Sequence, residues 1–225
     1  MEAMNRRALL GMAAMVPLVA VVGCATGPGA STVEEGVRRL LTLSTERAFD
    51  RLMEPNGFYD SQVARIAVPQ ALAGNGGVLA SLLNSSLVRN QMGIVLNQVA
   101  QDAARRATPV VLDHVRRMSL RDAVAVLRGG PTAATTLLQQ DAGGAVLDAM
   151  LPEVSRGLRS DVIRTLSAAI AEKTGVDYAE LGQTVAGQAS DGIFRAIGRE
   201  EAAIRADPRA TRDPVLIALL GAGRG

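Results

Sequence analysis

Apolar residues recur at helical spacing from Val33 to Ile204, and only one short run reads as extended. That pattern points the chain to an all-α fold. Val33, Val37, Leu40, Leu41, Ala48 and Leu52 mark a first helix to about Met53. Ser31 and Thr32, with Glu34 and Glu35 three residues on, form a doubled capping box at its start. Pro55-Asn56-Gly57 ends it, and residues 63–68 are the strand-like run. With no second strand to pair with, that run is expected to be an extended connector closed by Pro69. Further helices are expected over 69–83, over 87–107, from Pro109, and from Ser119 with Asp122 as a cap and Leu120, Val124 and Leu127 inside. Two longer ones follow over about 153–174 and 177–206. Gly129-Gly130, Gly143-Gly144, Pro152 and Gly175 mark breaks between them. The expected architecture is an irregular bundle of about eight helices in a single domain over 33–212, with Pro208 and Pro214 opening a loose tail over 213–225.

Composition removes several function classes. The chain of 225 residues is 48% hydrophobic and carries a net charge of only +2, which suits a packed core rather than disorder. Cys24 and His114 stand alone in their types, so a disulfide framework and Cys/His zinc sites have no material. No cofactor or metal is expected. Five aromatic residues, Phe49, Phe58, Phe194, Tyr59 and Tyr178, are too few for a base-stacking platform. The 24 basic residues face 22 acidic ones, and the pairs Arg38-Arg39, Arg105-Arg106 and Arg116-Arg117 are spaced by carboxylates. Nucleic acid is therefore not an expected partner, because such binding needs massed phosphate contacts.

The N-terminus reads as an address. Arg6 and Arg7 precede an uncharged stretch from Ala8 to Val22, which ends at Gly23-Cys24. At 15 residues the stretch is short of the roughly 20 that a spanning helix needs, and suits a cleaved signal peptide over 1–23. Val21-Val22-Gly23-Cys24 resembles the lipobox of bacterial lipoproteins. The resemblance implies diacylglyceryl transfer to the Cys24 thiol and cleavage before it. Ala25 rather than Asp follows, which in such lipoproteins favours the outer membrane. Arg6-Arg7-Ala8-Leu9-Leu10 also resembles a twin-arginine signal, and Met4 is an alternative start. Residues 24–32 are expected to be a flexible tether.

Across 33–212 the chain carries Glu35-Gly36, Thr45-Glu46-Arg47-Ala48, Gly57-Phe58, Arg65-Ile66, Val68-Pro69, Leu96-Asn97, Ala133-Ala134-Thr135, Asp191-Gly192 and Glu200-Glu201. In these residues it resembles the bacterial family known as domain of unknown function 4197. Thr136-Leu137 departs from it, standing where an aromatic usually follows. It implies an exported helical protein and brings no activity with it.

Among candidate residues, His114 is expected to flank the apolar stripe of Val111, Val115 and Met118 as a boundary residue of that face, and Asn97 to be a core amide fixing helix register. The Thr135 hydroxyl is expected to bond back to the Pro131 carbonyl. Glu201 and Arg205, four residues apart, have the spacing of a surface pair. Glu200 differs from these. At 100° per residue it falls inside the apolar stripe of Ile193, Ile197 and Ile204. A carboxylate there needs a partner. Arg47, at the edge of the first helix's stripe, is the expected one, which would pack the first helix against that of 177–206. The expected function is a lipid-anchored module on the periplasmic face of the outer membrane, or a soluble periplasmic one. It would bind an envelope partner protein or an apolar ligand. The alternative is an envelope hydrolase using Glu200 or another carboxylate with Arg.

Overall fold

The computed structural model describes residues 30–69, 85–159 and 177–221. The signal peptide, Cys24, the tether as far as Gly29, the helix expected over 69–83 beyond Pro69, Gly175 and residues 222–225 lie outside the described residues. So does most of the helix expected over 153–174. Among the described residues there are seven α-helices and no strand, joined in a single domain. They are α1 (Ala30–Met53), α2 (Gly57–Asp60), α3 (Ser86–Arg117), α4 (Ala123–Arg128), α5 (Ala133–Leu158), α6 (Tyr178–Ala206) and α7 (Pro214–Gly221), with a 3-10 turn at Pro208–Thr211.

The four long helices close a ring: α1 packs on α3, α3 on α5, α5 on α6, and α6 on α1. Their inner faces are aliphatic and small. Ala100, Ala103, Ala104 and Ala107 on α3, and Ala186, Ala189 and Gly192 on α6, are buried and bring the backbones close. This is how a chain with three Phe and no Trp fills a core. None of the described helices is long and apolar enough to cross a membrane.

Several helix limits differ from the sequence expectation. α1 begins at Ala30, ahead of the expected caps, so its first turn takes in part of the expected tether. Glu34 and Glu35 pair with Arg38 and Arg39 one turn on instead of closing a capping box. α3 runs through Thr108-Pro109 as one helix of 32 residues. A proline there costs about 3 kcal/mol. The bond lost is the one to the Arg105 carbonyl, and the helix holds because the buried stripe of Ala107, Val111 and Val115 continues past the proline. α5 likewise runs through Gly143-Gly144 and Pro152, because Leu138, Ala142, Val146, Met150, Val154 and Leu158 remain on one buried face. α4 starts at Ala123 with Asp122 in the cap position and no side-chain cap bond, and it buries Ala123 while leaving Val124 exposed.

The expected loose tail is a docked helix over most of its length. The Asp213 carboxylate accepts the backbone N–H groups of Val215 and Leu216 at 2.8 and 3.1 Å, starting α7. Leu216 and Leu219 are then buried, with the Leu219 side chain in the notch left by Gly36 on α1.

Candidate functional site

Adjacent carboxylates on α6 face different parts of the bundle, and both are buried. Glu201 is wholly enclosed. Its oxygens accept the N–H groups of Ala134 and Thr135 at 3.1 and 2.7 Å and the Thr135 hydroxyl at 2.7 Å. The Arg205 Nε donates to it at 2.8 Å. Glu201 thus caps α5, whose own cap residue Thr132 makes no side-chain cap bond. The Thr135 hydroxyl goes to Glu201, not to Pro131, because a buried carboxylate is the stronger acceptor. Arg205 then donates to the carbonyls of Leu127 and Val126 at 2.8 and 3.0 Å, closing the C-terminal end of α4. The expected surface pair is therefore a buried lock on the α4–α5 turn.

Glu200 lies in the apolar stripe as expected, 3% exposed beside fully buried Ile193 and Ile197. α1 and α6 do pack together. The cation that reaches Glu200 is Arg51, with Nη1 at 2.6 Å from Oε1, and not Arg47. Arg47 lies one turn short of the level at which Glu200 meets α1. Counted from Val33, Arg51 falls at 0° and Arg47 at −40°, so the same angular arithmetic carried the signal for Arg51.

Glu200 and Arg51 share a cleft of about 220 Å³ where α1, α2 and α6 meet. Its wall is the Pro55-Asn56-Gly57 turn. Asn56 takes the left-handed φ of 61°, and a Cβ on Gly57 would stand 2.6 Å from the Leu52 carbonyl oxygen. Glu54, Asp60 and Arg199 also line the cleft. Arg199 is exposed and makes no ion pair among the described residues. The arrangement offers cations and carboxylates within one small concavity, with the Glu200–Arg51 pair fixing one guanidinium in place.

Val63 of the cleft begins a connector whose Ile66 is held by Asn97, buried at 2% exposure. Its Oδ1 accepts the Ile66 N–H at 2.8 Å, and its amide donates to the Ile66 and Gly93 carbonyls at 3.2 and 2.7 Å. The role goes beyond helix register: Asn97 pins the connector at Ile66 through both of its backbone groups, as a neighbouring strand would. From α6, Arg195 donates to the Val63 carbonyl at 2.7 Å and Gln188 accepts the Ala67 N–H at 2.9 Å. A Cβ on Gly192 would stand 2.9 Å from the Ala64 carbonyl oxygen, so only glycine admits this approach.

His114 is half-buried, with Nδ1 3.0 Å from the Asp141 carboxylate, and joins α3 to α5. Among the described residues no cluster of three or more His, Cys, Asp or Glu is placed to hold a metal.

No curated protein and no solved structure matches the chain. One family model does, described as "Protein of unknown function (DUF4197)", over residues 27–221. That span takes in every described helix, including α7. The chain belongs to the DUF4197 family.

Proposed function

We propose that this protein is exported, acylated at Cys24 and held on the periplasmic face of the outer membrane, where its cleft binds a partner protein of the envelope. The observation that carries this reading is the position of the cleft relative to the anchor. Cys24 lies six residues before Ala30, while Arg51 and Glu200 lie at the other end of α1. At 1.5 Å per residue that helix sets them about 30 Å apart, so the cleft faces away from the lipid. Its volume of about 220 Å³ favours a partner protein over an apolar ligand. Small-molecule sites run from about 300 to 1,000 Å³, and this one accommodates one or two side chains of a partner. Cationic and acidic groups at its rim suit a polar segment of that partner rather than a lipid chain.

A photo-crosslinking residue placed at Asp60 in living cells should give one discrete adduct that Arg199→Glu removes. The same residue at Val124, exposed on α4 beside the start of α1 and so at the other end of that helix, should give none. Equal adducts at both positions, or none at Asp60, would contradict the proposal. The cleft's carboxylates favour one second reading, hydrolysis with Glu200 as the acid–base group. Glu200→Gln would leave the Asp60 adduct of a binding module in place, and would abolish turnover by an enzyme.

A further inference from the structure

We infer that the α3–α4 end of the bundle is a membrane-facing surface that rests on anionic lipid headgroups. The inference builds on the reading that Cys24 carries the anchor. The first observation is reach. Six residues from Cys24 to Ala30 span at most about 20 Å when extended, so whatever surrounds the start of α1 stays within that distance of the lipid.

Contacts along α1 say which groups these are. Glu34, in the second turn of α1, shares a concavity with Arg121, Val124 and Arg128 of the α4 region. Arg38, one turn on, donates to the carbonyls of Val115, Arg116 and Met118 at the end of α3. The start of α1, the end of α3 and α4 thus lie together. Val124 is 44% exposed there, a large aliphatic side chain facing solvent.

Charge favours an anionic occupant. Arg116 and Arg117, with side chains 67% and 72% exposed, share the single carboxylate of Asp113. Arg121 and Arg128 are exposed as well. Glu34 is taken by Arg38. Counting Arg38, Arg39, Arg116, Arg117, Arg121 and Arg128 against Glu34, Glu35, Asp113 and Asp122, this end has six guanidiniums and four carboxylates. Exposed arginines around an aliphatic side chain match a headgroup layer, with the cations on phosphates and the apolar group at the acyl boundary. Two excess charges bind weakly from free solution. A lipid tether turns the contact into an intramolecular one, in which weak contacts suffice.

The sequence supplies the tools for a test. The chain has no Trp and one Cys. The chain beginning at Cys24, carrying Val124→Trp, is coupled through the Cys24 thiol to a maleimide lipid in vesicles of phosphatidylethanolamine and phosphatidylglycerol. Its emission should move to shorter wavelength and be quenched by brominated acyl chains. Leu87→Trp, at the opposite end of the 32-residue α3, should show neither change. Each of Arg121→Glu and Arg128→Glu should weaken the contact at least five-fold, about the factor that one near-surface arginine is worth. An unshifted emission for Val124→Trp, equal quenching at Leu87→Trp, or an equal shift on neutral phosphatidylcholine vesicles would overturn the inference. Because the coupling supplies the anchor chemically, these outcomes do not depend on whether cells acylate Cys24.

Discussion

Glu201 and Arg205, one turn apart on α6, tie together the ends of two other helices: the carboxylate caps α5 and the guanidinium closes α4. Their side chains are 0% and 12% exposed, so neither charge is well solvated. Removing one strands the other. Arg205→Met and Glu201→Leu should each destabilise by roughly 3–5 kcal/mol, and the double variant by clearly less than their sum. Urea unfolding followed by circular dichroism measures all three. Additive losses would show that the two residues do not act as a unit.

Glu200 and Arg51 should behave more mildly. Arg51 keeps 64% of its side chain in solvent, which screens the pair. A double-mutant cycle with Glu200→Gln and Arg51→Met should give a coupling of about 1 kcal/mol. The same cycle with Arg47→Met should give none, and a measurable coupling to Arg47 would contradict the geometry.

Asn97 satisfies both backbone groups of Ile66. Asn97→Ala leaves them buried and unpaired, at a cost of about 1–3 kcal/mol. Hydrogen exchange at the Ile66 amide should accelerate more than exchange in the middle of α5. Unchanged protection at Ile66 would show that something other than Asn97 holds the connector.

Docking of α7 should be acid-sensitive. Burial works to raise the Asp213 carboxyl, but the Leu216 N–H, the Arg39 guanidinium and the Val215 N–H outweigh it, and the group sits below the ordinary carboxylate range. A carboxyl depressed in the folded state stabilises above its unfolded value, near about 4, and the gain is lost as pH falls through the folded value. Exchange protection over 214–221 should therefore hold from neutral pH down to about 4 and fall below it. Asp213→Asn should lower protection at neutral pH and flatten the acid step. A step that survives in the variant would move the cause elsewhere.

The stripes were legible and the interruptions were not. Ile193, Ile197, Glu200 and Ile204 point inward as their angles require. Residues 65–69 form a connector that is neither helix nor strand, although Val63 and Ala64 at its start lie in a turn closed by Ser61 rather than in the expected extended run. Pro109, Gly143-Gly144 and Pro152 carry strong local signals of a break, yet burial of a continuous apolar face outweighs them. Glu201 sits at the edge of the α6 stripe, and its burial depends on an α4–α5 turn whose approach no spacing along α6 reports. Arg51 was readable from its angle. What decided between it and Arg47 was the level at which α6 crosses α1, a property of packing.

Acylation of Cys24 decides whether this bundle hangs from a membrane with its cleft held outward. Mass spectrometry of the membrane fraction tests it directly. The N-terminal peptide should begin at Cys24 and carry a diacylglyceryl group, and Cys24→Ser should abolish that species and release the protein from the membrane. A wild-type protein recovered in the soluble fraction with an unmodified Cys24 thiol, or cut at another site, would contradict the account.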